Sequence, residues 1–309
     1  MDVVKENSIG KAAIKAAHGI VNFTVLTVIL LLVAFAVYAI WDSNQVYYAA
    51  DAAQYAVYKP SAEDSISFAE LQVINPEVFS WLTVYGTNID YPITQGADNM
   101  KYVNTSAKGA YSLSGSIFLD YTNDKNFSDF NSILYGHHME KQAMFGELGS
   151  FSRKQFFDSR AYGNLYYAGK DHGLEFFAFI KTDAYDHGVF TPGVQGLEVQ
   201  QAYLDNLLSK AIYTRDIGVS AEDHILLLTT CATDSTNGRD ILAARITDEC
   251  YANTFKTEEI SNATQQASVD RQPSFWGHFP AWLWIAVPLT LLLLIAMAIY
   301  IVRRNRAKG

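Results

Sequence analysis

Cysteine is nearly absent: Cys231 and Cys250 are the two in 309 residues. One disulfide is therefore the most the chain can form, and a bridge across these 19 positions would consume a thiol that stands at the end of an apolar run. Cations are also scarce, with 23 Lys and Arg against 32 Asp and Glu and a formal net charge of -9. Several of those cations fall at the two ends of the chain, so its middle is more acidic still. That balance speaks against nucleic acid as a partner. An acidic surface suits a cationic or amine-bearing substrate, or serves solubility alone. There is no internal repeat, no glycine-rich phosphate loop and no metal motif, and no metal or organic cofactor is implied.

Two long uncharged apolar runs stand out against this background. Val21 to Trp41 and Ala281 to Val302 are each roughly 20 residues long, which is what a helix needs to cross the hydrocarbon core. Lys5, Lys11 and Lys15 precede the first, and Arg303, Arg304, Arg306 and Lys308 follow the second. Positive flanks stay cytoplasmic, so both termini are expected inside and the intervening segment outside the cell. A cleaved signal peptide is the rival reading of the first run, which is longer than the usual apolar region of about 7–15 residues. The expected organisation is a cytoplasmic amino terminus (1–20), a membrane helix (21–41) and a helical juxtamembrane segment interrupted by Pro60 (42–68). A globular domain (69–253), a polar linker (254–280), a second membrane helix (281–302) and a basic tail (303–309) follow.

Between the spans the pattern is mainly β. Short runs such as Trp81–Tyr85, Ile89–Ile93, Ser116–Leu119 and Leu174–Ile180 alternate with turn residues, as in a barrel or sandwich. Helical inserts are expected near Phe145 to Phe157 and over Leu197 to Ile212, where Leu204, Leu207, Leu208 and Ala211 recur at helical spacing. Ile225 to Cys231 is an apolar strand that ends on a thiol. A second strand, Arg239 to Ile246, follows a polar loop, and far upstream Ser132 to Tyr135 leads into Gly136, His137 and His138. A thiol, an imidazole and a guanidinium at strand edges suit nucleophilic catalysis, and such pairs are commonly distant in sequence.

Several ordered motifs carry a family resemblance across Asn75 to Ile246. Asn75-Pro76-Glu77-Val78-Phe79-Ser80-Trp81-Leu82, Gly86 to Ile93, Asp98-Asn99, Gly115 to Asp120, Leu134 to Met139, Met144 to Leu148 and Leu228-Thr229-Thr230-Cys231 together resemble a class B sortase domain. The resemblance implies a closed sortase-type β-barrel of about eight strands with amino-terminal and inserted helices, here flanked by two membrane helices. It makes Cys231 the nucleophile, His137 the catalytic histidine and Arg239 the catalytic arginine, with Thr230 a substrate contact or simple strand packing. His138 and Arg245 are the competitors for the second and third roles. Two departures from the family pattern are Leu227, where threonine usually opens the signature, and a short loop between Cys231 and Arg239.

The implied chemistry is transpeptidation through a thioester. A surface or pilin protein bearing a sorting signal would be cleaved after threonine, and an amine, from a pilin lysine or a peptidoglycan precursor, would resolve the acyl-enzyme at the membrane. A carboxy-terminal membrane helix is more typical of pilin-polymerising sortases, which favours that role over wall anchoring of surface proteins, haem-uptake proteins included. A hydrolytic cysteine protease would differ in releasing acid. A silent, membrane-tethered binding module with Cys231 merely buried is the reading of a different class.

Overall fold

The first apolar run becomes part of one uninterrupted helix, α1 (Asp2–Ala50). The computed structural model describes residues 2–60 and 66–255. Within α1, Ile14–Ala50 is long and apolar enough to cross a membrane, and none of its most apolar window is buried against protein. Phe23, Leu31 and Phe35 are among the large apolar side chains it exposes. That surface is what separates a membrane segment from the core helix of a globular domain. The second apolar run at 281–302, most of the polar linker and the basic tail lie outside the described residues.

The helix breaks at Asp51, ahead of Pro60. Asp51 turns its carboxylate onto the Ala53 amide at 2.9 Å and caps a short 3-10 turn, Ala52–Gln54. A second such turn, Ala56–Tyr58, leads to Pro60, and helix resumes at α2 (Ile66–Ile74). Among the described residues of 42–68 the expected helix is therefore four separate pieces, the end of α1, two 3-10 turns and the start of α2, because an acidic cap competes with the helical ladder before proline does.

Nine strands follow: β1 (Val78–Val84), β2 (Asp90–Thr94), β3 (Ile117–Leu119), β4 (Asn131–Tyr135), β5 (Tyr162–Tyr167), β6 (Lys170–Asp183), β7 (Ala211–Thr214), β8 (His224–Cys231) and β9 (Gly238–Thr247). They are ordered β5-β1-β2-β3-β4-β8-β9-β6-β7, and β5 also pairs with β6. That pairing closes eight strands into a barrel, with β7 attached outside on β6. The 14-residue β6 serves both roles because a bulge at Phe176/Ala178 bends it, so its first half closes the barrel and its second half holds β7. Of the expected inserts, the first is a 3-10 turn, Leu148–Ser152, and a short helix, α3 (Lys154–Ser159). The second is α4 (Leu197–Ser209), which ends where β7 takes over its last expected residues.

Two apolar layers fix the strands. Leu82, Ile93, Leu134, Phe176, Leu226, Leu228, Leu242 and Ala244 fill the barrel interior. Ile133, Ile180, Ile225, Leu227, Ile241 and Ala243 point outward, beneath Tyr203, Leu204 and Leu207 of α4. Strand β8 is thus buried on both faces, which is why it reads as a continuous apolar run. Leu227, the departure from the family signature, lies fully buried in the outer layer. Replacing interior Leu228 by Ala is expected to lower unfolding free energy by about 2–5 kcal/mol, measured by denaturant titration; a loss below about 0.5 kcal/mol would contradict the packing assignment.

Candidate active site

Strand pairing brings the three chemistry-bearing residues to one rim of the barrel. Strands β4 and β8 are parallel neighbours in the register Tyr135↔Thr229, so His137 and Cys231 each lie two residues beyond a paired position. On the other side β8 runs antiparallel to β9, and Cys231 sits directly opposite Arg239. These residues are as much as 102 positions apart in sequence, from His137 to Arg239, yet the ladder leaves them little choice but to converge.

Alternation along β8 sets which way each side chain faces. Leu226 and Leu228 point into the barrel and Ile225 and Leu227 away from it, which puts Thr229 and Cys231 on the outer face and Thr230 on the inner one. Cys231 is a free, exposed thiol. Thr230 is 2% exposed and its hydroxyl is buried with no hydrogen-bond partner among the described residues; the same holds for Thr229. Arg239 is half-buried and donates to the Gly238 carbonyl at 3.0 Å. Among the described residues no carboxylate pairs with it. Arg245, its competitor, lies opposite Ile225 further along β9 and is tied to Glu175, with Asp223 at 3.9 Å.

His137 is half-buried and its Nε2 lies 2.8 Å from the Val103 carbonyl. A carbonyl only accepts, so Nε2 carries hydrogen and Nδ1 is the nitrogen left to exchange a proton. The preceding Gly136 has no room for a side chain, since a Cβ there would meet Ile117 at 2.5 Å and the Phe145 ring at 2.7 Å. That close approach lets the chain turn off β4 and deliver the imidazole. His138 is not among the residues that line the groove: its backbone bridges to Met144, and its Nδ1 is buried without a hydrogen-bond partner among the described residues. Nearby, Asp240 stands on the inner face opposite Thr230 and is 2% exposed. Burial pushes its carboxyl up, and the Lys181 ammonium, 3.7 Å away, opposes the shift.

A cavity of about 320 Å³ opens between these residues. Cys231, His137, Arg239, Thr229 and Thr230 line it together with Asn99, Val103, Phe118 and Tyr135. The wall contributed by Asn99 and Tyr135 is held from behind by the nearly buried Asp120. Its carboxylate accepts from Asn99 Nδ2 at 2.8 Å, from the Tyr135 hydroxyl at 3.1 Å and from Thr122 Oγ1 at 2.7 Å. Burial and the Asp120 charge hold the Tyr135 phenol in its neutral form, well above its ordinary range. Sequence reasoning noted Asn99 only as part of a motif and gave Asp120 no role. A polar pair in a strand-poor stretch was the signal available. The arrangement offers an accessible thiol, an imidazole and a guanidinium with no carboxylate partner among the described residues around an open groove, which suits covalent acyl transfer.

No family model matches the sequence. A curated sortase B from Listeria monocytogenes is 31% identical over 209 residues, covering 67% of this chain and 83% of that protein. Among solved structures, the sortase B from the type II pilus of Streptococcus pneumoniae is 49% identical, with a TM-score of 0.52, over 59% of this chain and 99% of its own. A Staphylococcus aureus sortase B–substrate complex is 28% identical, with a TM-score of 0.55, over 59% and 85% respectively. Likeness at this level over most of the relatives' length means that the chain belongs to the sortase B family, the class B sortases, and is a sortase-type cysteine transpeptidase.

Proposed function

We propose that this sortase works from a membrane anchor, with α1 in the bilayer, and that Cys231, His137 and Arg239 carry its chemistry. The observation that supports the assignment most strongly is the ladder register that sets His137 level with Cys231 and Cys231 opposite Arg239. Cys231, as thiolate, attacks the carbonyl carbon of the sorting-signal threonine. The His137 imidazolium gives its proton to the departing amine, and the neutral imidazole later takes one from the incoming amine. Arg239, free of a carboxylate partner, directs its fixed donors at the carbonyl oxygen or the peptide backbone. Thr230 forms part of the groove wall beneath the nucleophile.

Within this reading the acceptor is a lysine side chain of a pilin subunit. Identity to the pilus sortase, 49%, exceeds the 31% to the Listeria protein. The apolar run at 281–302, read as a second anchor, agrees with it. Both termini are then cytoplasmic and residues 42–280 lie outside, where sorting-signal substrates are retained at the same membrane surface.

Cys231→Ala should abolish cleavage of a sorting-signal peptide, and His137→Ala should slow it by about 100-fold or more. His138→Ala should retain most of the rate; the opposite ranking of the two histidines would overturn the assignment. Arg239→Lys should cost on the order of 100-fold, because an ammonium cannot reproduce the planar donor fork, whereas a near-normal rate would move the role to Arg245. For the acceptor, competition between a pilin-lysine peptide and a peptidoglycan-precursor amine should yield chiefly the lysine isopeptide. A preference for the precursor would establish wall anchoring instead.

A further inference from the structure

The end of the membrane helix is bonded to the loop that carries His137. After His137 the chain makes a tight excursion and returns at Phe145, whose amide donates to the His137 carbonyl at 3.0 Å. Within it Lys141, Gln142 and Met144 have φ of 58°, 61° and 52°. Left-handed backbone is rare for residues with a Cβ, and three such residues in four positions persist only when their surroundings hold them.

Contacts from β2, from Asn88 and from the end of α1 hold them. The Tyr91 hydroxyl, on β2, accepts the Met144 amide at 2.9 Å and donates to the Ala50 carbonyl at 2.8 Å. Ala50 is the last residue of α1, so its carbonyl has no helical partner and needs one from outside. Ala50 and Tyr91 are 0% and 2% exposed, which denies water as a substitute for either bond. One turn earlier, the Tyr47 hydroxyl donates to Glu140 at 3.2 Å, and the Lys141 ammonium sits 4.3 Å from the centre of the Tyr47 ring. Asn88 adds a bond to Gln142 at 3.0 Å. Retention at a membrane needs only a tether; this helix instead ends in a set of directed bonds to the segment behind the imidazole.

We propose that α1 is a positioning element of the active site as well as an anchor: through the Tyr91 hydroxyl and the Tyr47 ring, its last turn holds the left-handed loop and thereby the orientation of His137. Tyr91 is then a positioning residue that touches no substrate. The proposal rests on the reading of His137 as the proton-transfer group. It implies that the rate of acyl transfer depends on how the helix is seated against the domain, beyond its effect on local concentration at the membrane.

The test uses the full chain in detergent micelles, where concentration at a bilayer plays no part. Tyr91→Phe deletes one oxygen and keeps the ring. The expected result is a fall in kcat of about tenfold, a peptide KM unchanged within about twofold, and a displaced His137 limb in the pH–rate profile. Thermal unfolding should remain cooperative. Wild-type kcat and pH profile in folded Tyr91→Phe protein would overturn the proposal. Should that variant fail to fold, Tyr47→Ala decides: it should lower kcat about threefold at constant KM, Tyr47→Phe should fall between it and wild type, and no change in either would overturn the proposal. Activity persisting in His137→Ala would mark failure of the underlying reading, independently of the tyrosine results.

Discussion

The parallel ladder between β4 and β8 is the constraint on which the site depends. It places one strand end beside another, so whatever follows Tyr135 and Thr229 meets at the same rim. Pairing of β8 with β9 then adds Arg239. A slip of one residue would turn Cys231 into the barrel and Thr230 out to the groove, since successive side chains face opposite ways. Burial of β8 on both faces guards against such a slip. Leu226 and Leu228 belong inside and Ile225 and Leu227 belong under α4, and neither set fits the other layer without repacking. The helix inserted between β6 and β7 therefore helps to fix the register of the strand that carries the thiol.

Around that rim, polar groups behind the wall stiffen residues in front of it. Asp120 gathers Asn99, Tyr135 and Thr122 on one carboxylate, and Tyr91 joins the end of α1 to the loop after His137. Gly136 allows the loop to leave β4 against Ile117 and Phe145. By contrast Cys231 and Arg239 are accessible and without ionic partners among the described residues, which keeps them available to a peptide. Rigid support with open reacting groups is the division of labour that covalent catalysis requires.

Strands β4, β8 and β9 were legible in sequence because each is an apolar run bounded by a chemistry-bearing residue, at the far end of β4 and β8 and at the start of β9. Strand β5 was not, since Tyr162 to Tyr167 mixes tyrosine with glycine and asparagine. β7 was absorbed into the helix before it, because Ala211 and Ile212 continue the apolar period of α4. The break after Ala50 was not legible: Pro60 is a visible breaker, whereas Asp51 acts by a local cap. Residue types and family motifs pointed to Cys231, His137 and Arg239, but their meeting depends on pairings between distant strands that spacing does not encode. The inward face of Thr230 follows from knowing which side of β8 is the interior. Asn99, Asp120 and Tyr91 fall within family motifs, but the contacts that give them their roles are made only in the folded chain.

The measurement that bears most directly on the central claim is the intact mass of the full chain after incubation with sorting-signal peptides, with and without an added amine. An increase equal to the acyl fragment, located on Cys231 and discharged by the amine into a new amide, is the expected result. An acyl adduct that persists in the Cys231→Ala variant, or peptide cleavage by folded protein with no adduct and no dependence on amine, would contradict a Cys231 thioester transpeptidase.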